Sequence, residues 1–352
     1  MTSPRRSGSN RHDRRSATAT GWRAPRRALA VVGALTAVTS FAAATNPSGA
    51  VVPGRNGKIA FETNRDGNNE IYVMSPDGSL QTNLTNLRKS SDVDPSWAPN
   101  GRKLAFSSDR IERGNAEVYV MNADGTGVTQ LTNAPGEDRG TSFTSDGSIV
   151  FHSTRNAPPD LSHSFDVFIM DDDGDNQTQL TTEGGSAAYA CGDSTNGLIV
   201  FNSNRPQPDD VDADGDGDLD TDFDIYTMNM DGTDQTNITN TPGFESGPVF
   251  SPDCQSISFN STDTGGSLDI FTMDVDGNNR VNLTNAPALF DAFSAWSPDG
   301  QRIVFTTSNT ADGNLEIFTM SSADGSAQEQ LTFTAFGQAD LRADWGTANP
   351  QR

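Results

Sequence analysis

Six times along the chain an acidic residue precedes a short β-branched and aromatic run. These are Glu70 before Ile71-Tyr72-Val73-Met74, Glu117 before Val118-Tyr119-Val120-Met121, and Asp166 before Val167-Phe168-Ile169-Met170. The later copies are Asp224 before Ile225-Tyr226-Thr227-Met228, Asp269 before Ile270-Phe271-Thr272-Met273, and Glu316 before Ile317-Phe318-Thr319-Met320. Runs of this length without strict polar alternation predict strands buried on both faces. A turn follows each at Asp77-Gly78, Asp124-Gly125, Asp173-Gly174, Asp231-Gly232, Asp276-Gly277 or Asp324-Gly325. Asp-Gly suits a hairpin because glycine takes positive φ without steric cost. A further strand then closes on Leu-Thr or Ile-Thr, as at Leu84-Thr85 and Ile238-Thr239.

Ahead of each run lies a second recurring pair of elements. Trp296 is followed by the turn Ser297-Pro298-Asp299-Gly300 and the strand Ile303-Val304-Phe305, and related copies follow Trp97, Phe143 and Phe250, with a looser one headed by Tyr189. The unit is four short antiparallel strands with a period of about 46 residues, the signature of propeller blades. The interval from Tyr189 to Phe250 is longer by about fifteen residues, which marks an insertion. The first copy begins at the turn Gly54 to Gly57 without an aromatic strand, and the last is followed by Ala343-Asp344-Trp345-Gly346, the strand it lacks. The C-terminus therefore supplies the inner strand of blade one, and the expected architecture is an all-β, six-bladed propeller of four-stranded antiparallel blades.

The pattern Trp-Ser-Pro-Asp-Gly, Ile-x-Phe, acid-Ile-Tyr-x-Met, Asp-Gly, Leu-Thr resembles the WD-repeat-like blades of the TolB-like six-bladed propeller family. The resemblance extends from Gly57 to Trp345. It implies an exported protein that binds its partner through the propeller, and it implies no catalytic residue by itself.

Residues 1–50 read differently. Eight arginines and one aspartate lie between Met1 and Arg27, and the uncharged run Ala28 to Ala44 follows, with small residues at Ala42-Ala43-Ala44 and Ser48-Gly49-Ala50. This is the composition of an export signal, too short and too rich in Ala, Thr and Gly for a stable membrane span. The expected organisation is a leader over 1–50 and one propeller over 51–352, exported to the periplasm or the exterior as a monomer. The net charge of −23 falls further without the leader. Such a chain repels nucleic acid and anionic lipid.

Three features carry candidate chemistry. The insertion contains Asp209 to Asp222, with alternating aspartates before glycine as in an EF-hand-type calcium loop. Asp212, Asp214 and Asp216 take the first carboxylate positions, Gly217 the bend, the Asp218 carbonyl the seventh position and Asp220 the ninth, with Asp222 or Asp224 completing the set. Hard oxygen donors favour Ca2+ over zinc or copper. Cys191 and Cys254 fall in the turns after neighbouring inner strands, Cys191 at the position of Pro99 and Cys254 at that of Gly101 and Gly300, so an exported protein should join them. Five acids, Asp92, Asp138, Glu245, Asp291 and Asp340, precede the aromatic anchors by the same interval, with Gly184 in the remaining blade. They are expected to ring one mouth of the channel, as inter-blade hydrogen-bond acceptors or as a surface for a basic partner or cation.

The leading functional reading is a non-enzymatic propeller that binds a protein or glycan at the cell envelope and is stabilised by calcium. The alternative is a hydrolase or lyase acting on an extracellular polymer, with Asp291, Asp340 and Glu245 as acid and base. Arg65, Arg110, Arg155 and Arg205 are expected to pair with the acids that precede the buried runs. His152 and His163 have no evident catalytic partner in sequence.

Overall fold

The computed structural model describes residues 54–157, 165–205, 223–241, 243–262, 267–285 and 289–348. They form six four-stranded antiparallel sheets arranged as blades, and no helix occurs among them. The leader and the aspartate-rich segment Asp209 to Asp222 lie outside the described residues, as does His163.

Each blade runs from an inner strand through a second and a third to a two-residue outer strand. In blade two these are Asp92–Trp97, Lys103–Glu112, Asn115–Asn122 and Thr129–Gln130. The third strand is the repeated acid-aromatic run, and its aromatic residue packs on the phenylalanine of the second strand, as Tyr119 does on Phe106 at 5.8 Å between centroids. Six such phenylalanines, Phe61, Phe106, Phe151, Phe201, Phe259 and Phe305, are among the most deeply buried side chains. Burial of this aromatic column on both faces of every sheet is the main source of cohesion.

Blade one is completed by the C-terminal strand Asp340–Thr347, which pairs antiparallel with Asn56–Thr63 and sets Trp345 opposite Ile59. The Trp345 indole donates to the Gly57 carbonyl at 3.2 Å. The first and last strands of the propeller are thus hydrogen-bonded neighbours, as the incomplete end repeats require.

Strand pairing corrects one point of register. Ala190, not Tyr189, pairs with Ile199 and so occupies the place of Trp97, Phe143, Phe250, Trp296 and Trp345. Tyr189 is one residue nearer the start of its strand and faces the channel. The same shift places Cys191 at the position of Ala98 rather than Pro99. Its sulfur is bonded to Cys254, with Cα atoms 5.9 Å apart. Cys254 sits at φ 57°, in the left-handed conformation that Gly101 and Gly300 adopt at the same turn.

Because the blades are antiparallel meanders, their connections divide between two faces. The turns from inner to second strand and from third to outer strand share one face. The loops from second to third strand and from each blade to the next share the other, called here the entry face because every inner strand starts there.

Candidate functional site: the central channel and its entry rim

The five rim acids are buried, all at 0–2 % exposure. They therefore form no exposed acidic mouth, which corrects the expectation of an accessible one. Three of them are consumed by arginines from the end of the second strand of the same blade: Arg65 with Asp340 at 2.6 Å, Arg110 with Asp92 at 3.0 Å, and Arg155 with Asp138 at 2.5 Å. Each guanidinium lies over the aromatic pair of its blade, Arg110 at 4.9 Å from Phe106 and 4.7 Å from Tyr119. In blade four Gly185 replaces the acid, and Arg205 donates instead to the Gly184 carbonyl at 3.0 Å. In blade five the cation is Arg280, from the turn before the outer strand, 3.5 Å from Glu245.

The acids before the buried runs, which sequence reasoning gave to these arginines, serve another purpose. They accept from the threonine of the Leu-Thr pair, as Glu117 does from Thr132 at 2.7 Å and Asp224 from Thr239 at 2.9 Å. Two polar networks exist where one was expected, because the arginine reaches inward across the rings rather than along its own edge.

The channel wall is built from a bulge in every inner strand. The six equivalent residues Asp94, Gly140, Ala187, Gly247, Phe293 and Arg342 all have positive φ, between 45° and 59°. In four of the six the bulge N–H is accepted by a side chain from the second strand of the preceding blade. Glu62 accepts from Asp94 at 3.1 Å, Ser107 from Gly140 at 3.2 Å, Asn202 from Gly247 at 3.4 Å, and Asn260 from Phe293 at 3.1 Å. These bonds stitch neighbouring blades together and account for polar side chains deep in the ring.

A feature of every blade belongs to the scaffold, and a feature of one blade is a candidate for function. At the bulge, two adjacent blades depart from the small or apolar residues of the others. Arg342 of blade one is 2.9 Å from Asp94 of blade two, 3.7 Å from Glu62, and lies over the Phe293 ring of blade six at 4.8 Å. Burial pushes the Glu62 carboxyl up to about 7, with Arg342 opposing and Asp94 adding to the shift. Asp94 is the main reason the Arg342 guanidinium is held still more firmly in its charged form. Deeper in the channel Tyr189 and Asp344 occupy places that are Ser96, Ser142, Val249 and Ala295 in the other blades. Asp344 accepts from the Trp97 backbone N–H at 2.6 Å, and burial raises its carboxyl to about 6. Beyond them the channel narrows to a cavity of about 60 Å³ walled by inner strands of all six blades, Trp97, Tyr189 and Trp296 among them. Sequence reasoning missed this cluster because it aligned blades on shared residues. The signal was present three residues before each anchor, where Asp94, Phe293 and Arg342 break the pattern.

Comparison with known proteins agrees with this architecture. The family model described as TolB beta propeller domain matches residues 220–348. A protein TolB homolog of Chlorobium luteolum is 39% identical over 56 residues, 16% of this chain and 13% of that protein. TolB from Acinetobacter baumannii superposes with TM-score 0.64 at 18% identity, over 83% of this chain and 67% of that one. A putative TolB from Agrobacterium tumefaciens does so with TM-score 0.58 at 21% identity, over 84% of this chain and 93% of that one. The chain is a TolB-like six-bladed β-propeller. At these identities the superpositions establish the fold, and the function has to come from the site.

Two places in the TolB-like propeller break the blade-to-blade stitching: Thr306 of blade six, whose buried Oγ1 has no hydrogen-bond partner among the described residues, and His152 of blade three. His152 stands where Ser107, Asn202 and Asn260 accept the next bulge N–H, but its Nδ1 has no hydrogen-bond partner among the described residues. Its ring is tolerated because Gly140 faces it; a Cβ there would lie 2.2 Å from the imidazole Cε1. Burial lowers the imidazole to about 4. A histidine neutral in the fold and protonated in the unfolded chain costs stability as pH falls from about 6.5 toward 4. His152→Asn restores the side chain used in blades four and five. It is expected to raise stability by about 1 kcal/mol at neutral pH and by more near pH 5. Urea melts at both pH values check this; an equal or lower midpoint for the variant contradicts it.

Proposed function

We propose that this TolB-like propeller is a non-enzymatic protein-binding module of the cell envelope that engages its partner on the entry face. The observation that carries the reading is the placement of exposed apolar side chains. Leu87, Phe244, Phe333 and Phe336 lie in the blade-to-blade loops and Ile111 ends a second strand, all on that face, with Phe333 at 76% and Phe336 at 87% exposure. Apolar groups this exposed around a polar channel mouth fit a protein surface better than a glycan. The carboxylates that polymer hydrolysis or elimination would need, Asp291, Asp340 and Glu245, are buried, which favours binding over catalysis. Arg342, Asp94 and Phe293 lie below the same mouth and supply specific polar contacts.

Photo-crosslinking tests the reading. A photoreactive residue at Phe336 or Ile111 is expected to capture one envelope protein, and the same residue at Leu80 or Val128 on the opposite face is expected to capture none. Equal capture from both faces contradicts it.

Export through the leader and calcium binding by Asp212, Asp214, Asp216, Asp218, Asp220 and Asp222 belong to the same proposal. Eight aspartates within fourteen residues repel one another, and a divalent cation orders them. Calcium is expected to bind at one saturable site and to raise the melting temperature, by about 2.7 kcal/mol of stability at a hundredfold excess over Kd. Titration calorimetry without calcium heat at millimolar concentration removes the calcium part.

A further inference from the structure

Five blades place an arginine in a common cradle, and blade six retains the cradle without the arginine. In blades one, three and four the guanidinium meets four groups. These are the aromatic pair beneath it, the hydroxyl two residues before it, a rim oxygen of the inner strand, and a glutamine just after the third-to-outer turn. The hydroxyls of Thr63, Ser153 and Ser203 accept from Nε at 3.0–3.1 Å. The amides of Gln81, Gln177 and Gln235 accept from Nη1 at 2.5–2.6 Å. Blade two has the rings, the hydroxyl and the acid. Blade five delivers Arg280 from the glutamine position onto Phe259 and Phe271.

In blade six the rings are Phe305 and Phe318, the hydroxyl is Thr307, the acid is Asp291 and the amide is Gln328. The arginine position is Asn309, which is exposed and only caps Thr307 through its backbone N–H at 2.9 Å. No cation lies over the Phe305 and Phe318 rings among the described residues, whereas every other blade has one. Asp291 is 2% exposed; its Oδ1 lacks a hydrogen-bond partner among the described residues, as do those of Asp138 and Asp340. The Oδ2 atoms of those two are held by Arg155 and Arg65, whereas among the described residues no such cation reaches Asp291. Burial raises its carboxyl above the usual range, and the nearby hydroxyls of Thr307 and Thr284 offset this only in part. A buried carboxylate without a counter-charge is costly, and the same fold repeated beside it shows which group satisfies such a carboxylate.

We infer that blade six is a receptor for a guanidinium group supplied from outside the blade, held by Asp291, Thr307 and Gln328 over Phe305 and Phe318. The arginines of blades one, two and three enter from the entry face, where their side chains remain 14–21% exposed, so the route is open to solvent. The group belongs either to an arginine side chain of a polypeptide or to a free guanidinium compound. The site does not depend on the protein partner proposed above.

The test is calorimetric titration of the full chain with methylguanidinium, with methylurea as the neutral isostere, and with a short peptide bearing one arginine. Saturable binding of methylguanidinium but not methylurea is expected, and tighter binding of the peptide assigns the polypeptide source. Asp291→Asn is expected to weaken binding at least about tenfold by removing the charged acceptor. Asn309→Arg supplies the missing group in cis; it is expected to raise the melting temperature and abolish binding. Absence of saturable binding to the wild type overturns the inference, as does binding that survives Asn309→Arg unchanged. Since Asn309→Arg alters an exposed position, its outcome stands even if Asp291→Asn does not fold.

Discussion

Truncation of the chain after Ala339 is expected to abolish cooperative folding. The lost strand Asp340–Thr347 carries Trp345 and Ala343, both buried in the cluster with Ile59, Phe61 and Met74. It also carries Asp340, the counter-charge of Arg65, and Arg342, which bridges to Asp94. Loss of a buried tryptophan alone costs about 3–5 kcal/mol. The truncation also leaves the strand Asn56–Thr63 with an unpaired edge and Arg65 without its acid. Because a domain is stable by only about 5–15 kcal/mol, these losses together approach the whole. Near-ultraviolet circular dichroism and urea melts of the truncated chain check this. A truncation that melts at the wild-type midpoint contradicts closure of the ring by the C-terminal strand.

The second large effect is expected at Arg110. Its side chain is 14% exposed and its partner Asp92 is fully buried, with Ser90 and Ser108 hydroxyls as the remaining donors. Arg110→Ala strands that carboxylate and uncovers the stacked faces of Phe106 and Tyr119. Breaking a buried pair from one side costs about 3–5 kcal/mol, chiefly through the charge left behind. Replacing both partners is a different experiment. Arg110→Ala with Asp92→Asn leaves no orphan charge and is expected to recover at least about half of the loss, giving a strong coupling in the double-mutant cycle. Additive single effects in urea denaturation contradict the pairing.

The blade architecture was legible because its determinants recur. The apolar runs, the Asp-Gly turns and the Leu-Thr closure are local signals repeated six times, and the unmatched ends at Gly57 and Trp345 revealed how the ring closes. What depends on burial was not legible. Asp92 and Asp340 look like surface acids in sequence, and only the inward reach of Arg110 and Arg65 across the aromatic rings hides them. The misplacement of Tyr189 has a related cause: alignment on an aromatic anchor selected a tyrosine that faces the channel, while the true equivalent, Ala190, is too small to attract notice. Arg342 and Asp94 lie far apart in the chain, so nothing in the local pattern indicates that the closing strand brings them to 2.9 Å. The missing arginine of blade six stands out only against the other five cradles, since an asparagine in a loop carries no signal by itself.

Residues shared by the blades thus belong to the fold, and single-blade exceptions belong to function. The measurement that tests this most directly is the affinity of the partner captured at Phe336 for the double variant Asp94→Asn with Arg342→Gln. Replacing both charges with amides removes the ion pair without leaving either charge alone. The account predicts that binding weakens at least about tenfold while the melting temperature falls by only a few degrees. Unchanged affinity in a folded double variant would contradict it.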